Sequence, residues 1–162
     1  MLKIGQLRVT GDGKWPRSRA AMKKEIRGLA KELGLDLRFV VRKRKEFSWC
    51  QVSSGKARVC EGIGGKLFPM STVMFFALHE LSHWIQFHEG IYRGYFGEPY
   101  YNVWRNAKPE VVRRLGLRAE RHADRTARRL AMELFGVYLM EGSVYDPGNE
   151  ADSKALIRKH AG

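Results

Sequence analysis

A chain of 162 residues and 18.6 kDa, 44% of them hydrophobic, is long enough to bury one core and too short for several domains. Lys and Arg number 30 against 17 Asp and Glu, giving a formal charge of +13 and a pI near 10.1, a balance that attracts polyanions. No apolar stretch reaches the length of a membrane span, and Met1-Leu2-Lys3-Ile4-Gly5 lacks the apolar core of a secretory signal, so the expected compartment is the cytoplasm (a host's, if the gene is phage-borne).

In chain order, Ser18 to Leu33 carries Met22, Ile26, Leu29, Ala30 and Leu33 at helical spacing, with Gly34 as a stop. Leu35 to Val41 alternates apolar and polar residues like a half-buried strand. Phe47 to Val52 and Lys56 to Glu61 read as two more strands, joined through Ser53-Ser54-Gly55 as a hairpin. With a three-residue loop, Cys50 and Cys60 would face each other across it; two reduced thiols suit a reducing compartment better than a disulfide. Their spacing is no zinc-finger pattern. Gly62, Gly64 and Gly65 mark a turn or a close backbone approach.

His79-Glu80-Leu81-Ser82-His83 has the form H-E-x-x-H and lies between the apolar runs Val73 to Leu78 and Trp84-Ile85. Pro69 precedes this helix, Ser71 or Thr72 is placed to cap it, and Gly90 stands past its end. Nearly every face from Val73 to Phe87 is apolar, so the helix is expected at the centre of the fold. At about 100° per residue, positions four apart lie about 40° apart and one turn along, so His79 and His83 point two imidazoles the same way. Glu80 projects from the neighbouring face, where it can hold a water. Two nitrogen ligands, a general base and an open position are the parts of a zinc hydrolase. The plainer alternative is a hydrogen-bonded core pair, since such groups cost stability in an apolar helix unless something satisfies them.

A catalytic site of this kind needs a third ligand. His88 is about 140° round the helix from His83, and no glycine between them turns the chain, so a carboxylate on a second helix is the better candidate. Pro109 to Phe135 reads as that helix. Leu115, Ala119, Ala123, Thr126, Leu130 and Leu134 form one apolar stripe, with Glu120 and Asp124 together on its shoulder. Arg114, Arg118, Arg121, Arg125, Arg128 and Arg129 cover the opposite side, and Gly116 is a point where the helix can break. Between the two helices, Gly90 to Trp104 is an aromatic, glycine-rich loop suited to one wall of a cleft. Tyr92, Tyr95, Arg121 and His122 are candidates to stabilise an oxyanion, the alternative for the tyrosines being packing of the loop onto the core. Residues 141–162 read as a C-terminal tail with room for a short helix.

His79-Glu80-x-x-His83 followed by Glu120-Arg121-His122-Ala123-Asp124 resembles the zincin metallopeptidases of the gluzincin type, whose second helix carries Glu-x-x-x-Asp, often Glu-x-x-Ala-Asp. The short form Glu-x-x-Ala-Asp-x-x-Ala, here Glu120 to Ala127, is most similar to the ImmA/IrrE-like small peptidases of bacteria and phages. SprT-like proteases, with a histidine as third ligand, are more distant. The resemblance spans Val73 to Phe135 and departs at Ser82, where these families often have glycine. It implies a single α+β, zincin-like domain over residues 1–140, with an N-terminal helix and a small antiparallel sheet packed on the active-site helix, then a second ligand-bearing helix. It further implies one Zn2+ held by His79, His83 and Glu120, with Asp124 accepting the outer N–H of a ligand histidine. An edge strand near Lys56 to Gly65 would then hold extended peptide by strand addition. The expected reaction is peptide-bond hydrolysis in a protein or peptide substrate, with Glu80 as general base.

Two other readings stay open. One is a basic nucleic-acid-binding protein braced by a structural zinc; the other is a zincin-fold interaction protein of phage or mobile-element type, without turnover. Basic residues gather at Arg17 to Arg27, at Arg42-Lys43-Arg44-Lys45 and on the second helix at Arg114, Arg118 and Arg125, which makes nucleic acid, alone or carrying the substrate protein, a candidate partner, against the alternative that basic composition serves solubility. No nucleic-acid recognition motif or separate helix-turn-helix module accompanies them.

Overall fold

A computed structural model describes residues 16–43, 48–90, 109–137 and 139, with the backbone alone for 109–117. The loop candidates Tyr92 and Tyr95, the basic residues Arg44 and Lys45, His160 and the tail 141–162 lie outside the described residues. Among the described residues, three helices and a small sheet make a mixed α+β fold.

Helix α1, Arg19–Glu32, begins where Ser18 Oγ accepts the Ala21 N–H at 3.1 Å, and it buries Met22, Ile26, Leu29 and Ala30 as the spacing predicts. Strands β1 (Asp36–Arg42), β2 (Trp49–Gln51), β3 (Lys56–Ile63) and β4 (Lys66–Leu67) follow. The expectation of an antiparallel sheet is corrected: β3 is central, antiparallel to β2 and β4 but parallel to β1, from Asp36 opposite Lys56 to Arg42 opposite Ile63. Two chain reversals, one into β2 and one into β3, return β3 to the direction of β1. Alternation along Leu35 to Val41 reveals the buried face of a strand, not the direction of its neighbour. The same arrangement removes β3 as the edge expected to receive a substrate strand, since β1 flanks it on one side and β2 and β4 pair with it too.

The hairpin register also differs from the expected one. Gln51 stands opposite Lys56, which leaves a four-residue loop and sets Cys50 opposite Ala57. Both thiols are free, and the Cys60 N–H is taken by Ser48 Oγ at 2.9 Å.

Helix α2, Met70–Glu89, starts earlier than Ser71 or Thr72 would set it. Pro69 occupies the cap, and its carbonyl accepts from the Thr72 and Val73 N–H groups, so neither hydroxyl residue serves as the cap. Gly90 closes the helix in the left-handed region at φ 70°, a conformation glycine adopts without a Cβ clash. Val73, Met74, Ala77, Leu78 and Leu81 are fully buried, and the Trp84 indole N–H donates to the Leu33 carbonyl at 2.7 Å, tying α2 to the end of α1. Helix α3, Pro109–Phe135, runs through Gly116 without a break. Of the expected stripe, Ala119, Ala123, Thr126, Leu130 and Leu134 are buried, and Ala127 and Ala131 join them; the Leu115 side chain lies outside the described residues. Among the described residues no helix is long and apolar enough to cross a membrane.

Two glycines probe this packing with opposite signs. A Cβ at Gly62 would meet the Lys66 carbonyl oxygen at 2.5 Å and Leu67 Cα at 3.1 Å, backbone that cannot swing away. At Gly28, inside α1, it would meet nothing within 4 Å. Gly62→Ala is expected to lower stability by about 1–3 kcal/mol. Gly28→Ala is expected to raise it by about 0.5–1 kcal/mol through helix propensity. Urea unfolding of the two variants beside the parent measures both.

Candidate metal centre

Helices α2 and α3 pair in opposite directions. His79 meets Asp124, His83 meets Glu120, and Gln86 meets the Ala119 carbonyl, so each step forward on one helix is a step back on the other. The four-residue spacing sets the two imidazoles edge to face on one side of α2, with ring centroids 4.6 Å apart and Nε2 atoms 3.0 Å apart. Glu120 completes a triangle: Oε2 lies 2.7 Å from His79 Nε2, and Oε1 lies 3.2 Å from His83 Nε2. Each of the three residues offers a ligand atom within 4.8 Å of the others, so the group can hold a metal ion.

The outer ring nitrogens fix where the hydrogens sit. His79 Nδ1 is 2.8 Å from Asp124 Oδ1; a carboxylate oxygen accepts, so this nitrogen donates. His83 Nδ1 is 3.0 Å from Gln86 Oε1. The orientation of that amide follows from its other end, where Nε2 donates to the Ala119 carbonyl at 2.8 Å, leaving Oε1 to accept from His83. In the neutral tautomers both Nε2 lone pairs therefore face inward, together with the Glu120 carboxylate. Three acceptors in contact need a shared cation, a proton or a metal ion.

The electrostatics carry the same message. Burial works against charge on His79, but the hydrogen bonds to Asp124 and Glu120 outweigh it and push its pKa up to about 10. Burial likewise raises the Glu120 carboxyl, yet hydrogen bonds with His79 and His83 prevail and hold it well below the usual carboxylate range. Asp124 is 1% exposed, and its Oδ2 has no partner among the described residues, so its one recorded bond goes to His79.

Glu80 is buried beside this group, within electrostatic reach of His79, His83 and Glu120. Burial raises its pKa; the histidines oppose the rise, Glu120 adds to it, and the net shift is upward. Its charge also reaches Cys50 on β2, where burial first and Glu80 second push the thiol up. His88 is not part of the triangle and packs edge-on against Trp84, with centroids 4.1 Å apart. Arg121 is exposed, about 100° round α3 from Glu120. His122 lies against Gln86, whose Nε2 is 2.8 Å from His122 Nδ1, which assigns the neutral ring's hydrogen to Nε2. Burial and then Arg125 lower the His122 pKa.

Gln86 was not singled out by sequence reasoning. The signal was present: it is a fully buried polar residue on an otherwise apolar helix, one turn after His83 and on the same face. No protein-family model matches the chain, and no curated protein and no solved structure matches it either.

Replacing Gln86 by Leu removes the acceptor behind His83 and the donor to Ala119 while keeping most of the volume. Metal affinity is expected to fall about 10–100-fold. Competition titration against a chelating dye measures it, and an unchanged affinity would show that the His83 ring is held by other means.

Proposed function

We propose that the protein is a zinc-dependent metallopeptidase. The observation that carries the reading is the inward-facing triangle of two imidazole Nε2 atoms and one carboxylate, with a buried glutamate next to it on the same helix. Donors about 2.0–2.1 Å from a tetrahedral zinc sit roughly 3.3–3.4 Å from one another. The distances here are 3.0 Å between the imidazoles and 2.7 and 3.2 Å to the two carboxylate oxygens, so admitting the ion asks for an opening of about 0.7 Å at most. Two neutral imidazoles and one carboxylate also match the donor types of catalytic zinc sites that keep a position open.

His79, His83 and Glu120 would hold the ion, and Asp124 and Gln86 would orient the two rings from behind. Bound zinc would supply Lewis acidity to a carbonyl and lower the pKa of a water to roughly 7. The chain's own acid–base work falls to Glu80. Its carboxylate oxygen takes a proton from the attacking water and delivers it to the nitrogen of the departing amine, so one group serves as base and then as acid. The upward pull of burial on Glu80 suits that double role, because an efficient proton carrier has a pKa near the working pH. For an extended substrate the relevant strand is β2, an outer strand of the sheet and the one whose Cys50 lies within electrostatic reach of Glu80.

Two variants test the proposal together. Glu80→Gln is expected to keep one zinc per chain and lose at least about 10²-fold in cleavage of an unstructured protein substrate. Glu120→Ala is expected to lose the zinc itself. Elemental analysis beside a cleavage assay reads both; normal cleavage by Glu80→Gln removes Glu80 from the base role, and no zinc in any form of the protein sinks the proposal.

A further inference from the structure

We infer that the solvent face of α3 is a docking ridge for the phosphate backbone of a nucleic acid. Arg118, Arg121 and Arg125 are all exposed, and at 100° per residue they fall within about 60° of one another along one side of the helix. None of the three has an acidic partner among the described residues. The reason is the metal centre: the two acids within this span, Glu120 and Asp124, are both engaged with the imidazoles of α2. The outer face is left cationic without interruption. On α1 the pattern differs, because exposed Lys24, Arg27 and Lys31 are interleaved with exposed Glu25 and Glu32.

Spacing favours a polyphosphate. Arg118 to Arg125 spans seven residues, about 10.5 Å of helix rise. One strand of a duplex carries a phosphate every 3.4 Å of axis, so the ridge matches about three phosphates. A convex row of guanidinium groups offers a protein partner no apolar pocket for an anchor, whereas a phosphate backbone asks only for regularly placed cations. The chain's charge of +13 extends the attraction beyond contact distance. This inference stands whether or not the metal centre cleaves peptides.

The test is fluorescence anisotropy with a labelled oligonucleotide at several salt concentrations. It compares the parent chain, the triple variant Arg118→Gln, Arg121→Gln, Arg125→Gln, and a charge-matched triple on α1, Lys24→Gln, Arg27→Gln, Lys31→Gln. The ridge variant is expected to bind at least about tenfold more weakly at 0.1 M salt, with a plot of log K against log salt shallower by about two to three units, at 0.7–0.9 per lost phosphate contact. The α1 variant should stay within about half a unit of the parent slope. Equal losses in both variants would mean diffuse attraction and overturn the ridge, as would absence of binding by the parent. Displacement of the oligonucleotide by polyglutamate at lower charge concentration than by unlabelled oligonucleotide would also overturn it, in favour of an acidic protein partner. If the triple variant fails to melt cooperatively by circular dichroism, Arg125→Gln alone carries the test, with an expected slope change just under one unit.

Discussion

Two imidazole nitrogens and a carboxylate pressed together between packed helices set the terms for the rest of this structure. Each lone pair faces the others because the opposite side of each ring is already committed, His79 to Asp124 and His83 to Gln86. Buried polar groups without a partner cost several kcal/mol, so this arrangement is tolerable only with positive charge at its centre. Glu120 shows the strength of that demand: it is partly exposed yet held far toward its charged form. The cluster also fixes the pairing of α2 with α3, since a slip of one residue would separate all three histidine–carboxylate contacts.

How much of this was legible in the sequence follows from which properties are local. The H-E-x-x-H spacing and the stripe on α3 depend only on helical period; Ala119, Ala123, Thr126, Leu130 and Leu134 are buried where that period puts them, while Ala127 and Ala131, also buried, lay outside the expected stripe. Helix α1 was equally plain, with Ser18 before a run of helically spaced apolar residues and Gly34 after it. The sheet was not. Strand direction is a relation between segments distant in sequence, and alternation is the same for a parallel and an antiparallel neighbour. The hairpin closes with a four-residue loop, and Cys50 stands opposite Ala57, three positions from Cys60. At the start of α2, two good capping residues drew attention from Pro69, whose fixed φ had already begun the helix. A lone amide such as Gln86 on an apolar helix carries no motif; its role exists only once α3 brings the Ala119 carbonyl and His122 to it.

Helix α3 divides its circumference among three tasks, and the division is what allows one segment to serve all of them. Small residues, Ala119, Ala123, Ala127 and Ala131, line the buried side and let the two helix backbones approach closely enough for side chains as short as Asp124 to reach an imidazole. The acids occupy one shoulder and the arginines the solvent face. Had the acids lain among the arginines, i,i+4 ion pairs worth a few tenths of a kcal/mol would have competed for them. Angular separation keeps Glu120 and Asp124 committed to histidine, and the same separation leaves Arg118, Arg121 and Arg125 without those acids, whereas Arg129 further along pairs with Glu133.

The two histidines are backed by different chemistry, and charge explains why an amide rather than a second carboxylate stands behind His83. Two carboxyl groups, Glu120 and Asp124, stand at this site, enough to balance a divalent ion should one be held between neutral imidazoles. A glutamate at position 86 would orient His83 as well as the amide does, but it would add a third charge in a fully buried position. It would also surrender the donors that reach the Ala119 carbonyl and His122. The added charge would fall first on His83 and His122, the rings that Gln86 touches. The Glu80 carboxyl is already raised by burial and by Glu120, and a further buried anion would add to that upward pull. An uncharged acceptor behind one ring and a charged one behind the other therefore satisfies both requirements: each imidazole is locked in the tautomer that presents Nε2, and no further anion adds to the upward pull on Glu80, as the proposed base role would require.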